Sequence, residues 1–164
     1  MKNLFAWVLA IGFIITGSQV SAQKKKIYDP HKNGIKQLSE AVTLAKAGKQ
    51  HVLVMVGGNW CSWCLRFDKF VKFNHELDSI IEKDYELVHL NYSPENKNYE
   101  ALEKLGFPQR FGFPVFVVLD GNGKRLHTQN SAYLESGRSY DKEKVKQFLL
   151  HWRPEALKPE NYKK

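Results

Sequence analysis

The sequence predicts an α/β fold: a three-layer sandwich in which a central mixed β-sheet is flanked by helices. Three observations point there. Apolar, strand-forming runs at His51 to Val56, Tyr85 to Tyr92 and Val115 to Leu119 are separated by stretches of helical periodicity. The last run is followed by Asp120-Gly121-Asn122-Gly123, a strong turn signal that sends the next strand back antiparallel. A final amphipathic segment then supplies a closing helix.

Taken in order, residues 1–22 open with Lys2, continue through an apolar run from Leu4 to Ile15 and end in Val20-Ser21-Ala22, the pattern of a cleaved secretory signal peptide. The run is shorter than the roughly 20 residues a membrane span needs. No cysteine follows the expected cleavage site, which argues against lipid attachment and for a soluble mature chain starting near Gln23. Residues 23–33 read as a polar leader. Gly34 to Lys49 is a helix, with Ile35, Leu38, Val42 and Ala45 at helical spacing and Gly48 as a stop. His51 to Val56 is a buried strand left through the turn Gly57-Gly58-Asn59.

The helix from Cys61 to Asn74 places Leu65, Phe67, Phe70, Val71 and Phe73 on a broad apolar side, with Arg66, Lys69 and Lys72 on a solvated face. Glu76 to Lys83 continues the helical stretch after a bend near Asn74-His75. Tyr85 to Tyr92 alternates as a strand in which His89 is a packed residue. Ser93-Pro94-Glu95 reads as a helix start, with Tyr99, Leu102 and Leu105 along one face and Gly106 at the end, giving a strand-helix-strand crossover. Lys124 to Thr128 completes the hairpin, 129–140 is a polar loop, and Asp141 caps a helix whose Val145, Phe148, Leu149 and Trp152 share a face. The expected domain spans 34–153, with a short tail at 154–164.

Trp60-Cys61-Ser62-Trp63-Cys64 contains the only two cysteines in the chain. Their spacing is that of a redox dithiol. At the start of a helix, unpaired amides and partial positive charge favour the Cys61 thiolate, and Cys64 lies one turn on as the resolving thiol. Two other readings compete. Structural zinc needs four closed ligands, and none of the six histidines forms the closely spaced pair that would complete a Cys2His2 site. A purely structural staple across so short a loop removes little unfolded-state entropy. Redox chemistry is the stronger reading, with no metal and no cofactor beyond the cysteine pair.

Trp60-Cys61-x-Trp63-Cys64 after a hydrophobic strand, with Phe113-Pro114 leading into the later strand, resembles the thioredoxin superfamily, and in particular its exported, periplasmic members. The resemblance covers roughly residues 34 to 152. It implies a cis Phe113–Pro114 bond lying against the dithiol and a Phe113 backbone that helps hold an extended substrate segment. The residues alone also permit an ordinary trans proline at a strand start. Trp60, Ser62 and Trp63 are expected beside the exchanging sulfur. Two departures matter. The buried aspartate that many thioredoxins carry six residues before the first cysteine is replaced by Met55, leaving the proton acceptor for Cys64 unassigned. The intervening pair Ser62-Trp63 lacks the proline of the best-known reductase motif, so a redox potential does not transfer.

The formal charge of +8 is spread through Lys24-Lys25-Lys26, Lys142 to Lys146 and Lys163-Lys164 rather than gathered on an arginine-rich helix, which argues against nucleic acid as a partner. An exported chain with no cysteines to spare for staples points to a functional pair and a fold that stands on its core. The expected activity is reduction of protein disulfides, with disulfide-containing proteins as substrates and an electron donor, such as a membrane thiol-disulfide carrier, as second partner. The alternatives are an oxidase or isomerase of protein disulfides, or a metal-binding or interaction module built on the cysteine pair.

Overall fold

A computed structural model of the protein describes residues 26–163. The expected signal peptide and the first residues of the leader lie outside the described residues. Among those described, no helix is long and apolar enough to cross a membrane.

The chain runs α1 (Gly34–Gly48), β1 (His51–Gly57), α2 (Ser62–Lys72), α3 (His75–Asp84), β2 (Tyr85–Asn91), α4 (Tyr99–Lys104), β3 (Val115–Leu119), β4 (Arg125–Asn130), a short hairpin β5 (Glu135–Ser136) and β6 (Ser139–Tyr140), and α5 (Lys142–Trp152). The main sheet has the order β2-β1-β3-β4. β1 pairs with β2 in parallel, joined through α2 and α3, and with β3 antiparallel; β3 pairs antiparallel with β4. The mixed sheet read from the sequence is therefore present.

β1 is central and buried along its whole length, which is why it reads as a continuous apolar run rather than an alternation. Its alternate side chains feed two separate cores. Leu53 and Met55 join Phe116, Phe67, Val71, Leu77, Ile81, Phe148 and Leu149 beneath α2, α3 and α5. Val52, Val54 and Val56 join Val88, Leu90, Val117, Leu38, Ala45 and Leu102 beneath α1 and α4. These are the two interfaces of a three-layer sandwich.

The local signals behave as expected at several ends. Asn33 Oδ1 accepts from Lys36 N at 3.0 Å at the start of α1, and Asp141 Oδ1 accepts from Lys144 N at 3.0 Å at the start of α5. In the β3–β4 turn, Asp120 Oδ1 accepts from both Asn122 N and Lys124 N, and Gly123 takes a positive φ of 82°.

Elsewhere tertiary contacts override the local reading. α4 begins at Tyr99, not at Ser93. The 93–98 stretch is a turn in which Ser93 and Asn96 exchange backbone hydrogen bonds, Asn91 Nδ2 donates to Asn96 O and Asn98 Nδ2 donates to Asn91 O. Asn98 itself sits at φ 49°, outside the helical region. Tyr99 points to solvent, while Leu102 and Leu105 are buried. The α4 connection also crosses to the far side of β1 and enters β3 antiparallel, so the parallel crossover is the one through α2 and α3. Phe73, expected on the apolar side, is exposed because α2 ends at Lys72 and Phe73 turns outward as its cap. The 129–140 stretch holds a 3₁₀ turn at Ser131–Leu134 and the β5–β6 hairpin.

The last described part of the leader is the largest departure from a polar, extended segment. Tyr28 is 1% exposed and belongs to the core under α2. Its backbone is clamped by Asn59, whose Oδ1 accepts from Ile27 N and Tyr28 N and whose Nδ2 donates to Tyr28 O.

Candidate active site

β1 ends at Gly57, and the turn Gly58-Asn59-Trp60 delivers the chain to α2. Cys61 is the N-cap residue of that helix rather than its first helical residue, with extended backbone at φ −84° and ψ 102°. Its Sγ accepts from Cys64 N at 3.1 Å. A sulfur thus occupies the place a serine or aspartate oxygen takes in an ordinary cap, facing the helix's free amides and the positive end of its dipole. Cys61 and Cys64 are joined by a disulfide. Cys64 is fully buried and Cys61 is 5% exposed, so the N-cap sulfur is the one nearer the surface.

Trp60 is 55% exposed and its Nε1 donates to Tyr92 O at 2.7 Å. It is therefore not packed beneath the motif. Phe113 lies between Trp60, which meets it edge-on at 5.3 Å, and Tyr92, which stacks on it at 4.9 Å. Trp63 is half-buried, edge-on to Tyr140 at 5.4 Å, with the Arg66 guanidinium over its ring at 4.5 Å. Lys69 faces the Phe73 ring, so two of the three cations of the helix, Arg66 and Lys69, are engaged with aromatic faces, and the third, Lys72, pairs with Asp68. Ser62 is exposed at the first position of α2.

The β1–β3 register sets Val115 opposite Val56, so Pro114, the next residue, comes to the end of β1 that leads into the dithiol turn. The Phe113–Pro114 peptide bond is cis. Trp60, Cys61, Trp63, Phe113 and Pro114 are thereby gathered around one end of β1.

Beside them opens a cleft of about 690 Å³ lined by Trp60, Tyr92, Pro94, Pro30, Asn59 and Lys97, among others. Trp60, Tyr92, Pro30 and Pro94 give it apolar surface and Lys26, Glu95 and Lys97 charged groups, and its size suits a short extended segment of a partner. Of these residues only Trp60 was singled out from sequence. Tyr92 and Asn59 had read as a strand end and a turn, and nothing in their spacing marks a wall of a cleft.

On the other side of the dithiol, Met55 is buried where the family's aspartate is expected, and no carboxylate replaces it at that position. The nearest acid along the helix is Asp68, one turn beyond Cys64. Lys72 donates to its Oδ1, and His89 Nε2 stands 3.5 Å away, an ion pair when the imidazole is protonated. Burial raises the Asp68 carboxyl, but the His89 and Lys72 contacts outweigh it and hold the group below its ordinary value. Among the described residues, no group of three or more His, Cys, Asp or Glu is arranged to hold a metal ion.

Comparison with known proteins agrees with this geometry. Residues 33–121 match a family model described as thioredoxin-like. The crystal structure of a disulphide isomerase from Xylella fastidiosa Temecula1 is 26% identical, with a TM-score of 0.69 over 78% of this chain and 97% of that one. A DsbH oxidoreductase is 18% identical over 85% of this chain and 95% of that one, with a TM-score of 0.48. A thioredoxin from Thermus thermophilus is 19% identical over 69% and 84%, with a TM-score of 0.47. No curated protein matches the sequence. The family match spans more than half of the chain and includes the dithiol turn, and the sheet order and the Cys61–Cys64 disulfide agree with it: the chain belongs to the thioredoxin-like family.

Proposed function

We propose that the protein is an exported thiol-disulfide oxidoreductase that reduces protein disulfides through Cys61 and Cys64. The observation that carries the reading is the position of the Cys61 sulfur. It caps α2, accepts the Cys64 amide and directly follows Trp60, which lines the neighbouring cleft, while its disulfide partner is fully buried. Helix amides stabilise the Cys61 thiolate, which makes it the attacking group.

In the forward reaction the Cys61 thiolate attacks one sulfur of the substrate disulfide. That disulfide breaks, and its second sulfur leaves as a thiolate. Cys64 then loses its proton to solvent and attacks Cys61 Sγ, closing the Cys61–Cys64 bond and releasing the first substrate sulfur as a thiol. The substrate gains two electrons and the protein loses two. An external dithiol restores the reduced pair, and the reaction uses no cofactor besides the cysteines. Trp60, Phe113 and Tyr92 offer apolar surface to the substrate chain next to the scissile disulfide.

The experiment is a Cys64→Ser variant of the mature protein, which retains the attacking sulfur and lacks the resolving one. Added in its reduced form to disulfide-containing protein substrates, it is expected to accumulate mixed disulfides through Cys61, and a Cys61→Ser variant is expected to accumulate none. Absence of any trapped species overturns the exchange mechanism.

Direction is tested by the reduction potential of the pair in defined glutathione or dithiothreitol ratios. A value near about −270 mV supports a reductase, and one near about −120 mV an oxidant. The similarity to a disulphide isomerase structure favours isomerisation as the second reading. It predicts an intermediate potential near about −180 mV and rescue of a scrambled substrate without an external donor.

A further inference from the structure

Tyr28 carries a hydroxyl that the fold has not otherwise used. The residue is 1% exposed, and its Oη is buried with no hydrogen-bond partner among the described residues. A phenylalanine would fill the same space without leaving a polar atom stranded, and buried hydroxyls are ordinarily paired. The position of this one is specific. A Cβ placed on Gly57 would overlap Cys64 Sγ and would lie 2.9 Å from Tyr28 Oη. Oxygen and sulfur therefore crowd the same point above the Gly57 backbone, no more than two short contact lengths apart.

We propose that Tyr28 is the hydrogen-bond donor that stabilises the Cys64 thiolate during exchange, on the side of the dithiol where Met55 leaves no acid. The inference rests on the exchange reading above. In the disulfide, Cys64 Sγ is bonded to Cys61 and uncharged, so the hydroxyl meets no anion. Two steps create one. When a mixed disulfide is resolved, the Cys64 thiol gives its proton to solvent, its lone pair forms the bond to Cys61 Sγ, and the substrate sulfur leaves with the electrons of the broken bond. When the pair is recharged, an incoming thiolate bonds to Cys61 Sγ and Cys64 departs as the thiolate. In both, Tyr28 keeps its own proton and donates a hydrogen bond to the charge. Burial first, then the charges of Asp68 and Tyr140, raise its hydroxyl far above the ordinary phenol range, so it stays a donor throughout.

The titratable groups around this point come from four elements. α2 contributes Asp68 with its partner Lys72, β2 contributes His89, whose ring stands edge-on to Tyr28 at 5.5 Å, α3 contributes Asp78 on the small cavity shared with Asp68 and His89, and β6 contributes Tyr140. β1 contributes only Met55 and Gly57. The Asp68 charge opposes a nearby thiolate and is offset by Lys72, and the Tyr28 hydroxyl, which shares the space above Gly57 with the sulfur, is a neutral donor with no other partner among the described residues.

The test mixes the reduced mature protein with oxidised glutathione, quenches with acid and counts the Cys61–glutathione adduct by mass over a range of pH. In Tyr28→Phe, decay of the adduct at neutral pH is expected to slow about tenfold, and the pH midpoint of the decay to rise by about one unit. Asp68, Lys72 and His89 remain in that variant, so the shift belongs to the hydroxyl. An unchanged rate and midpoint overturn the role. A wild type that yields neither the adduct nor the Cys61–Cys64 disulfide overturns the exchange reading, and the role of Tyr28 with it.

A second measurement leaves Tyr28 in place. In Cys61→Ser, the ultraviolet absorbance of the Cys64 thiolate is expected to titrate at or below the ordinary thiol value of about 8.5, although burial alone drives a thiol upward. A Cys64 that titrates well above that value overturns the proposal without recourse to the tyrosine variant.

Discussion

Gly57 shows how little space the dithiol is given. It is the last residue of β1, and any side chain there meets Cys64 Sγ and Tyr28 Oη at once. Neither neighbour is the free end of a flexible chain: the sulfur is held in the disulfide and the tyrosine is packed in the core. Gly57→Ala is therefore expected to destabilise the oxidised protein by about 1–3 kcal/mol through overpacking, read as a fall in denaturant midpoint at unchanged slope. The loss is expected to shrink in the reduced protein, where Cys64 can rotate away. Equal losses in both redox states would show that the strain lies elsewhere. At this scale the site was half legible. Cys61, Cys64, Trp60, Trp63, Phe113 and Pro114 announce themselves by motif. Tyr28 does not, because a lone aromatic in a polar leader has no periodicity to mark it, and its partners are some thirty residues away along the chain.

Between elements, the docking of α5 on α3 has an electrostatic part that can be read by pH. Glu76, in the first turn of α3, pairs with Lys146 and with Lys142, the latter at 2.9 Å. Hydrogen bonds from Lys146 and then Lys142 lower its carboxyl from an ordinary 4.5 to about 2. A depressed folded-state value means the contribution is fully present above the ordinary value and is lost as the pH falls towards about 2. The pair is well exposed, so the effect is small and screened by salt. Thermal midpoints of the wild type and Glu76→Gln are expected to differ near neutral pH and to converge as the pH falls from about 5 to about 2. A gap that persists at the acid end would assign the effect to packing. The α4 boundary carries a different lesson. Ser93-Pro94-Glu95 has the composition of a helix start, but Asn91, Asn96 and Asn98 tie the stretch into a turn, and side-chain to backbone bonds of this kind compete directly with helix formation.

Across the whole molecule, stability comes from two apolar layers on the faces of one sheet, and the disulfide closes a loop too short to constrain the unfolded chain strongly. Removing both sulfurs in Cys61→Ser/Cys64→Ser is expected to leave a cooperatively folded protein, less stable than the oxidised wild type by no more than about 2 kcal/mol in denaturant titration. A variant that fails to fold would mean that the pair is structural, contrary to the exchange reading. The same architecture explains why the fold class was legible. β1 buries both faces and so reads as an unbroken apolar run, β3 and β4 are joined by a turn with strong local chemistry, and α1 and α5 carry apolar stripes with side-chain caps.

By itself the sequence determined the order of strands and helices, the dithiol and its junction between a strand and a helix, because these depend on local periodicity, turn chemistry and the spacing of two residues. Only the tertiary structure decided how deeply each sulfur is buried, that Trp60, Phe113 and Tyr92 form one aromatic wall, and that Tyr28 and Cys64 share the space above Gly57. Each of these joins segments far apart in the chain, and such contacts are set by how sheet and helices pack, which no local pattern of residues encodes.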